Sequence, residues 1–288
     1  IFDEENLNLA MNSLLSKRNS CGADGICVKE FSEHWRLNGK NILESVRKGT
    51  YRPAVVQERE IIMRNGKHRR ISIYTCTDRL ILRAISQVLQ EALNDSFSRS
   101  SYGYRKDIGA IEAVEQAAKY IQDGKVWVAE IDLSDFFDHI NLQRMNNLVK
   151  RVVEDEKMIR LIEQYLYCYI ERDGEFISKE TGLVQGSSLS PILSNLYMDA
   201  FDKKLEELRI EFCRFADNIN LYAEEPDEAR KYYQDVKALL EGAFQLQINE
   251  RKSGVFPAMN RSYLGYLFSK EKKNKEIFVK KKSRKKTI

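Results

Sequence analysis

Glu211-Phe212-Cys213-Arg214-Phe215-Ala216-Asp217-Asn218-Ile219-Asn220-Leu221-Tyr222-Ala223 reads as strand, turn, strand. Apolar and aromatic residues fill both arms. Asp217-Asn218 supplies the turn chemistry, because short Asx side chains bond their own backbone. A hairpin this apolar belongs inside a sheet, with an acid carried at its tip. Upstream, Val126-Trp127-Val128-Ala129-Glu130-Ile131-Asp132-Leu133 is an apolar run of strand length that ends beside a second acid, Asp132. Between and after these, residues 142–153, 158–167, 190–208 and 227–244 predict helices, the third opening on Ser190-Pro191 with Pro in its first turn. Residues 245–256 and 262–268 predict strands. From Val126 onward the order is β-α-α-β-α-β-β-α-β, which predicts an α+β layer: a mainly antiparallel sheet with helices packed on one face.

The N-terminal part reads differently. Residues 3–18 and 40–48 predict amphipathic helices, separated by the turn signal Cys21-Gly22-Ala23-Asp24-Gly25. Residues 60–73 predict a hairpin turning at Arg64-Asn65-Gly66-Lys67. Asp78 is expected to cap a long helix whose apolar face is Ile81, Ala84, Ile85, Val88, Leu89, Ala92 and Leu93. A shorter helix is expected over 111–121.

Composition narrows the class. With 43% hydrophobic and 31% charged residues the balance is that of a soluble globular chain. No apolar run reaches the ~20 residues of a membrane span, and no secretory signal opens the sequence. The start at Ile1-Phe2-Asp3, without Met, predicts a segment of a longer protein. The five cysteines, Cys21, Cys27, Cys76, Cys168 and Cys213, are odd in number and contain no CxxC pair. Neither a disulfide framework nor a zinc site is expected, and a reducing cytoplasm is. Net charge is +4, yet residues 270–288 hold ten Lys/Arg against two Glu, which leaves the body of the chain mildly acidic. A basic end on an acidic body predicts a polyanion partner or a solvated basic linker.

Two acids at neighbouring strand ends can share hard cations, which take oxygen ligands. A pair of such cations activates a hydroxyl and stabilises a leaving pyrophosphate. By themselves Asp132 and Asp217, 85 residues apart, do not differ from surface acids. Their neighbourhoods do. Ile131-Asp132-Leu133-Ser134-Asp135-Phe136-Phe137-Asp138 resembles motif A of reverse transcriptases. Leu183-Val184-Gln185-Gly186-Ser187-Ser188-Leu189-Ser190-Pro191 resembles their (T/V)PQGxxxSP motif B. Arg214-Phe215-Ala216-Asp217-Asn218 stands where that family has (R)YADD. Asn249-Glu250-Arg251-Lys252 resembles the N-x-x-K of motif D, and Tyr263-Leu264-Gly265-Tyr266 the FLGF of motif E. Gly22-Ala23-Asp24-Gly25, Gly49-Thr50-Tyr51-Arg52-Pro53, Thr77-Asp78-Arg79 and Ser101-Tyr102-Gly103-Tyr104-Arg105 look like the GxDG, GxYxP, TxxDR and SYGFR blocks of group II intron-encoded proteins.

The resemblance implies the fingers and palm of a right-hand polymerase. It puts the fingers at 1–118, with 140–188 returning to them, and the palm at 119–139 and 189–288; a thumb would follow. It implies RNA-directed DNA synthesis with two Mg²⁺, an RNA template, a DNA primer and deoxynucleoside triphosphates, together with a maturase role on intron RNA, in the cytoplasm of a bacterium or in an organelle. Asp132 and Asp217 match the metal ligands, with the backbone carbonyl of Leu133 beside them. Phe137 matches the aromatic gate against a ribose 2′-hydroxyl. Gln185 and Gly186 match the loop beside nucleotide and template. Arg69 matches the fingers arginine that grips the triphosphate, a task suited to a fixed guanidinium fork. Lys252 matches the lysine proposed to protonate pyrophosphate.

Two positions depart from the pattern. Asn218 replaces the second Asp of YADD; it keeps an oxygen but loses the charge, so metal affinity and charge neutralisation should fall. Met63 stands where many group II proteins carry a triphosphate-binding Lys, and Arg64 beside it would face the other way on a strand. The expectation is therefore a group II reverse transcriptase and maturase whose polymerase activity is weak or lost. The alternatives are a catalytically dead RNA-binding splicing factor and a group II-like reverse transcriptase of a CRISPR or phage-defence system.

Overall fold

The computed structural model describes residues 1–17, 20–62, 66, 68–259, 261–270 and 277–281. They divide into two compact units: residues 1–93 with 137–197, and residues 94–136 with 198–288. No helix among the described residues is long and apolar enough to cross a membrane.

The first unit opens with α1 (Glu4–Leu15), capped by Asp3 accepting from the Asn6 N–H, and α2 (Val28–Lys48). It continues with β1 (Val56–Ile62), β2 (His68–Ile73) and α3 (Cys76–Leu93). The later segment adds α6 (Leu142–Val152), α7 (Glu156–Leu166), β4 (Tyr169–Arg172) and β5 (Glu175–Ser178). A four-stranded sheet runs β2-β1-β4-β5, with β1 and β4 parallel and the other pairs antiparallel. Ala10, Leu14, Val28, Phe31, Leu80 and Ala84 form the helical core. The second unit holds α4 (Ala110–Gln122), β3 (Trp127–Asp132), β6 (Glu211–Phe215), β7 (Asn218–Ala223), α9 (Pro226–Ala243) and β8 (Gly254–Pro257). Its four-stranded sheet, β6-β7-β3-β8, is antiparallel throughout. The strands β9 (Ser262–Tyr263), β10 (Tyr266–Lys270) and β11 (Ile277–Lys281) make a separate antiparallel sheet. Two helices cross the division in sequence: α5 (Phe136–His139) and α8 (Ser190–Glu207).

Residues 94–118 group with the second unit, where Tyr102 N–H donates to the Arg214 carbonyl and α4 packs on β6 and β11. Several expectations are corrected. Helix α2 begins twelve residues before the expected start at 40; Gly39, which looks like a break, packs its bare Cα against the Trp35 indole. Thr75, not Asp78, caps α3: its hydroxyl accepts the Asp78 N–H at 3.0 Å. Asp78 is buried and accepts from Thr75, Tyr51 and Tyr165 hydroxyls at 2.7–2.9 Å. Residues 245–253 are not strand. Gln245 takes φ +57° and the chain turns at Asn249, whose carbonyl accepts the N–H groups of Lys252 and Ser253. Cys21 and Cys27 are joined in a disulfide. Counting cysteines misses a closure this local, in which Gly22 N–H donates to the Ile26 carbonyl and Val28 N–H to that of Ser20. Cys76, Cys168 and Cys213 are free and buried. The basic tail is not wholly linker: Ile277–Lys281 pairs with β10 as β11, while 271–276 and 282–288 lie outside the described residues.

Candidate active site

The acids at the strand ends are set by register. β3 and β7 pair so that Asp132 lies directly opposite Asn218, and Ile131 opposite Ile219. Directly opposed residues of an antiparallel pair point to the same face, so the side chains of Asp132 and Asn218 are neighbours on one face of the sheet. The turn falls one residue earlier than expected. Phe215 pairs with Asn218, which makes Ala216-Asp217 the two-residue loop and Asn218 the first residue of β7. Ala216 adopts φ +57°, the left-handed value that the first central position of such a loop needs. The Leu133 N–H donates to the Asp217 carbonyl at 3.1 Å, so the ladder continues past Asp132 to the turn itself.

Asp132 is pinned from a second side by the 249–253 turn. Asn249 N–H donates to the Asp132 carbonyl at 2.8 Å, and the Asp132 N–H donates to the Ser253 hydroxyl at 3.0 Å. The same turn delivers Lys252, whose Nζ sits 2.9 Å from Asp132 Oδ1. Ser253 was invisible to motif reading, since a serine one residue past the motif carries no signal of its own. The bond to Asp132 raises Lys252 above the ordinary lysine range. Asp217 is raised as well, by burial first and then by the nearby Asp132 carboxylate, with Lys252 opposing. Tyr104 is raised by burial and by Asp217, which puts that phenol in the field of the same carboxylate.

The structure thus gathers Asp132, Asp217, Asn218, Lys252 and the Leu133 backbone in the second unit. Phe137, Gln185, Gly186 and Arg69 belong to the first. The Phe137 carbonyl accepts the Leu183 N–H at 2.7 Å, and Gln185 Nε2 donates to Asp138 Oδ2 at 3.2 Å. Gly186 has φ +97°, and a Cβ there would approach the Ser72 carbonyl oxygen to 3.3 Å, so this loop position suits only glycine. Arg69 pairs with Ile61 in the β1–β2 ladder; its side chain, like Met63 and Arg64, lies outside what is described.

The donor set suits a hard cation. It consists of two carboxylates and an amide, all oxygen-bearing, and Asn218 Oδ1 is buried with no hydrogen-bond partner among the described residues. Among the described residues no three His, Cys, Asp or Glu side chains gather as a metal site; Asn218 brings an oxygen but no charge to this set.

Comparison with known proteins agrees with this geometry. Residues 49–268 match the family described as reverse transcriptase (RNA-dependent DNA polymerase). The group II intron-encoded protein LtrA of Lactococcus lactis subsp. cremoris is 30% identical over 176 residues, covering 61% of this chain and 29% of that protein. A putative COX1/OXI3 intron 2 protein of Saccharomyces cerevisiae is 26% identical over 207 residues, covering 69% of this chain and 23% of its own. The chain therefore spans under a third of the length of these relatives. Among solved structures, apo telomerase from Candida tropicalis shares the fold at TM-score 0.60 and 14% identity, over 87% of this chain and 52% of the telomerase chain. A partial Cas6-RT-Cas1–Cas2 complex does so at TM-score 0.51 and 24% identity, over 84% and 42%. Since the family match starts in the first unit, ends in the second and takes in both strands that carry the acids, the chain belongs to the reverse transcriptase (RNA-dependent DNA polymerase) family, and the curated relatives named above, to which it is similar, are intron proteins.

Proposed function

We propose that this chain is the fingers and palm of a group II intron reverse transcriptase and maturase, with polymerase activity held low by Asn218. The first unit serves as fingers and the second as palm. The observation that carries the reading is the register of β3 with β7, which sets Asp132 against Asn218 with Asp217 in the adjoining turn. Asp132 and Asp217, with the Leu133 carbonyl, would hold magnesium, which supplies activation of the primer hydroxyl and stabilisation of pyrophosphate when bound. Asn218 contributes a neutral oxygen where a third carboxylate would add charge. Lys252, whose Nζ lies 2.9 Å from Asp132 Oδ1, would protonate the leaving pyrophosphate. Arg69 would grip the triphosphate, Phe137 would exclude a ribose 2′-hydroxyl, and Gln185 and Gly186 would border nucleotide and template. The partners are an RNA template or intron RNA, a DNA primer and deoxynucleoside triphosphates.

Primer extension on an RNA template tests this reading in a chain extended to include a thumb. Asn218→Asp is compared with the parent across a Mg²⁺ titration, with Asp132→Ala as blank. A fixed group at a charge-stabilising site is worth roughly 10²–10³ in rate, and a gain of that order is expected for Asn218→Asp. A parent that extends as fast as the Asp variant would overturn the claim of a weakened site. An Asp variant that stays at the blank would overturn Asn218 as the limiting lesion.

A further inference from the structure

Beneath the hairpin that carries Asp217 lies a polar cluster that joins the Arg214 and Ser101 blocks and to which the motifs assign no role. Arg214, Asp202 and Ser101 are each at most 1% exposed. Arg214 Nε and Nη2 donate to Oδ1 and Oδ2 of Asp202 at 2.7 and 2.6 Å, a two-point pairing. Nη2 also donates to the Ser101 hydroxyl at 2.7 Å. Nη1 donates to the carbonyl oxygen of Ala216 at 3.1 Å. That carbonyl belongs to the peptide joining Ala216 to Asp217. The peptide is planar, so fixing its oxygen fixes the plane that holds the Asp217 N–H and Cα, the base from which its carboxylate projects. Gly103 closes the turn from another side: a Cβ at Gly103 would lie 2.4 Å from the Ala216 nitrogen and 3.1 Å from the Phe215 carbonyl carbon.

A buried ion pair is a poor way to glue a sheet, because apolar side chains of the same volume do as well or better. An apolar side chain cannot, however, hold a carbonyl oxygen. The left-handed φ of Ala216 also disfavours any residue with a Cβ, so this turn depends on outside contacts to keep its shape. We propose that Arg214, anchored by Asp202 and Ser101 and opposed by Gly103, is the positioning residue that aims the Asp217 carboxylate at its cation. The inference rests on the reading of Asp217 as a cation ligand.

Terbium luminescence, sensitised by the protein's own aromatic residues, reports oxygen-ligand binding without any need for turnover. The signal belonging to the site is the part that Asp217→Asn removes. Urea unfolding of each variant is measured alongside. Arg214→Lys keeps the charge but loses the fork, and Gly103→Ala crowds the turn without removing a polar group. Both are expected to weaken terbium binding about 10- to 100-fold, the usual effect of losing a group that orients a ligand. Ile121→Ala, a buried core change late in α4, just ahead of the Trp127 end of β3 and so at the opposite end of that strand from Asp132, should lower the urea midpoint and leave terbium affinity within about twofold of the parent. Folded Arg214→Lys and Gly103→Ala proteins with parental affinity overturn the inference, as does an equal loss of affinity in Ile121→Ala. Should Arg214→Lys fail to fold, Ser101→Ala carries the test, because it removes one hydrogen bond and no charge; unchanged affinity there overturns the inference too. A parent that shows no signal sensitive to Asp217→Asn overturns the ligand reading itself, whereas normal parental binding with unaffected variants overturns only the positioning.

Discussion

Two hairpins in this molecule have loops of the same length and opposite logic. β4–β5 turns through Asp173-Gly174, with φ +53° and +89°. Asp-Gly is the sequence a two-residue hairpin loop prefers, because both central residues need left-handed φ. β6–β7 turns through Ala216-Asp217, where alanine holds the left-handed position. The first hairpin is exposed, with Phe176 68% accessible. The second is buried along most of both arms. A turn that chooses its own conformation needs little around it; the one that carries Asp217 takes its conformation from its surroundings. Departure from local preference is expected at sites under functional constraint.

The comparison breaks most visibly at the aromatic residues. Phe212, 1% exposed in the buried hairpin, should cost about 3–5 kcal/mol when replaced by Ala. Phe176→Ala should fall within about ±0.5 kcal/mol. Urea unfolding of the two variants measures both, and equal effects would erase the distinction between self-determined and supported turns.

Next in size is Asp217→Asn. Primer extension in an Asn218→Asp chain should drop by about 10²–10³, equivalent to about 2.7–4 kcal/mol of barrier. Stability should move the other way. The folded state holds the Asp217 proton more tightly than the unfolded chain does, because of burial and then Asp132. The folded protein therefore binds more protons through that window. Its stability declines as pH rises from the ordinary carboxylate range to the raised value of Asp217. Asp217→Asn lacks this decline, so in metal-free urea titrations it should be the more stable protein on the neutral side and lose that advantage in acid. A parent with the flatter profile would reverse the assigned shift.

Smaller effects sharpen the contrast at the turns themselves. Gly174→Ala puts a Cβ at φ +89° and should cost about 1–2 kcal/mol while leaving extension unchanged. Ala216→Gly relieves a left-handed alanine but adds freedom to the unfolded chain. These terms nearly cancel, and the net change should stay within about 1 kcal/mol. Thermal or urea unfolding checks both, and a large stabilisation by Ala216→Gly would mean that the native turn stores more strain than its contacts offset.

Much of this was legible in the sequence where local signals and periodicity agree. The helices over 110–122, 142–152 and 226–243, the strand ending at Asp132 and the antiparallel sheet all follow from apolar spacing. The family motifs supply the identity of the two acids. What escaped depends on contacts from afar. The turn at Ala216-Asp217 was displaced by one residue because alanine is not a turn residue by local rules. Residues 245–249 alternate polar and apolar as a strand would, yet the backbone turns at Asn249 to reach Asp132. Asp78 looks like a cap, but tyrosines 27 and 87 residues away claim its carboxylate. Arg214 offered the one readable hint, a charge inside an arm whose neighbours are all apolar.

Lys252 gives the site a history before any ligand arrives. Its ammonium is on an exposed, flexible stem, 64% accessible, while the carboxylate it touches is 19% accessible and fixed through its own backbone. Of the two, the lysine is the one free to leave. On the function proposed above, a cation reaching Asp132 would meet an exchange with an occupant and not simply a hydrated acid, and its apparent affinity would reflect the difference between two contacts. Negative phosphates arriving with a nucleotide would give the released ammonium somewhere to go. Vacancy at Asp132 and charge for Lys252 would then be created by the same arrival, so substrate loading and site opening would be one event rather than two in sequence.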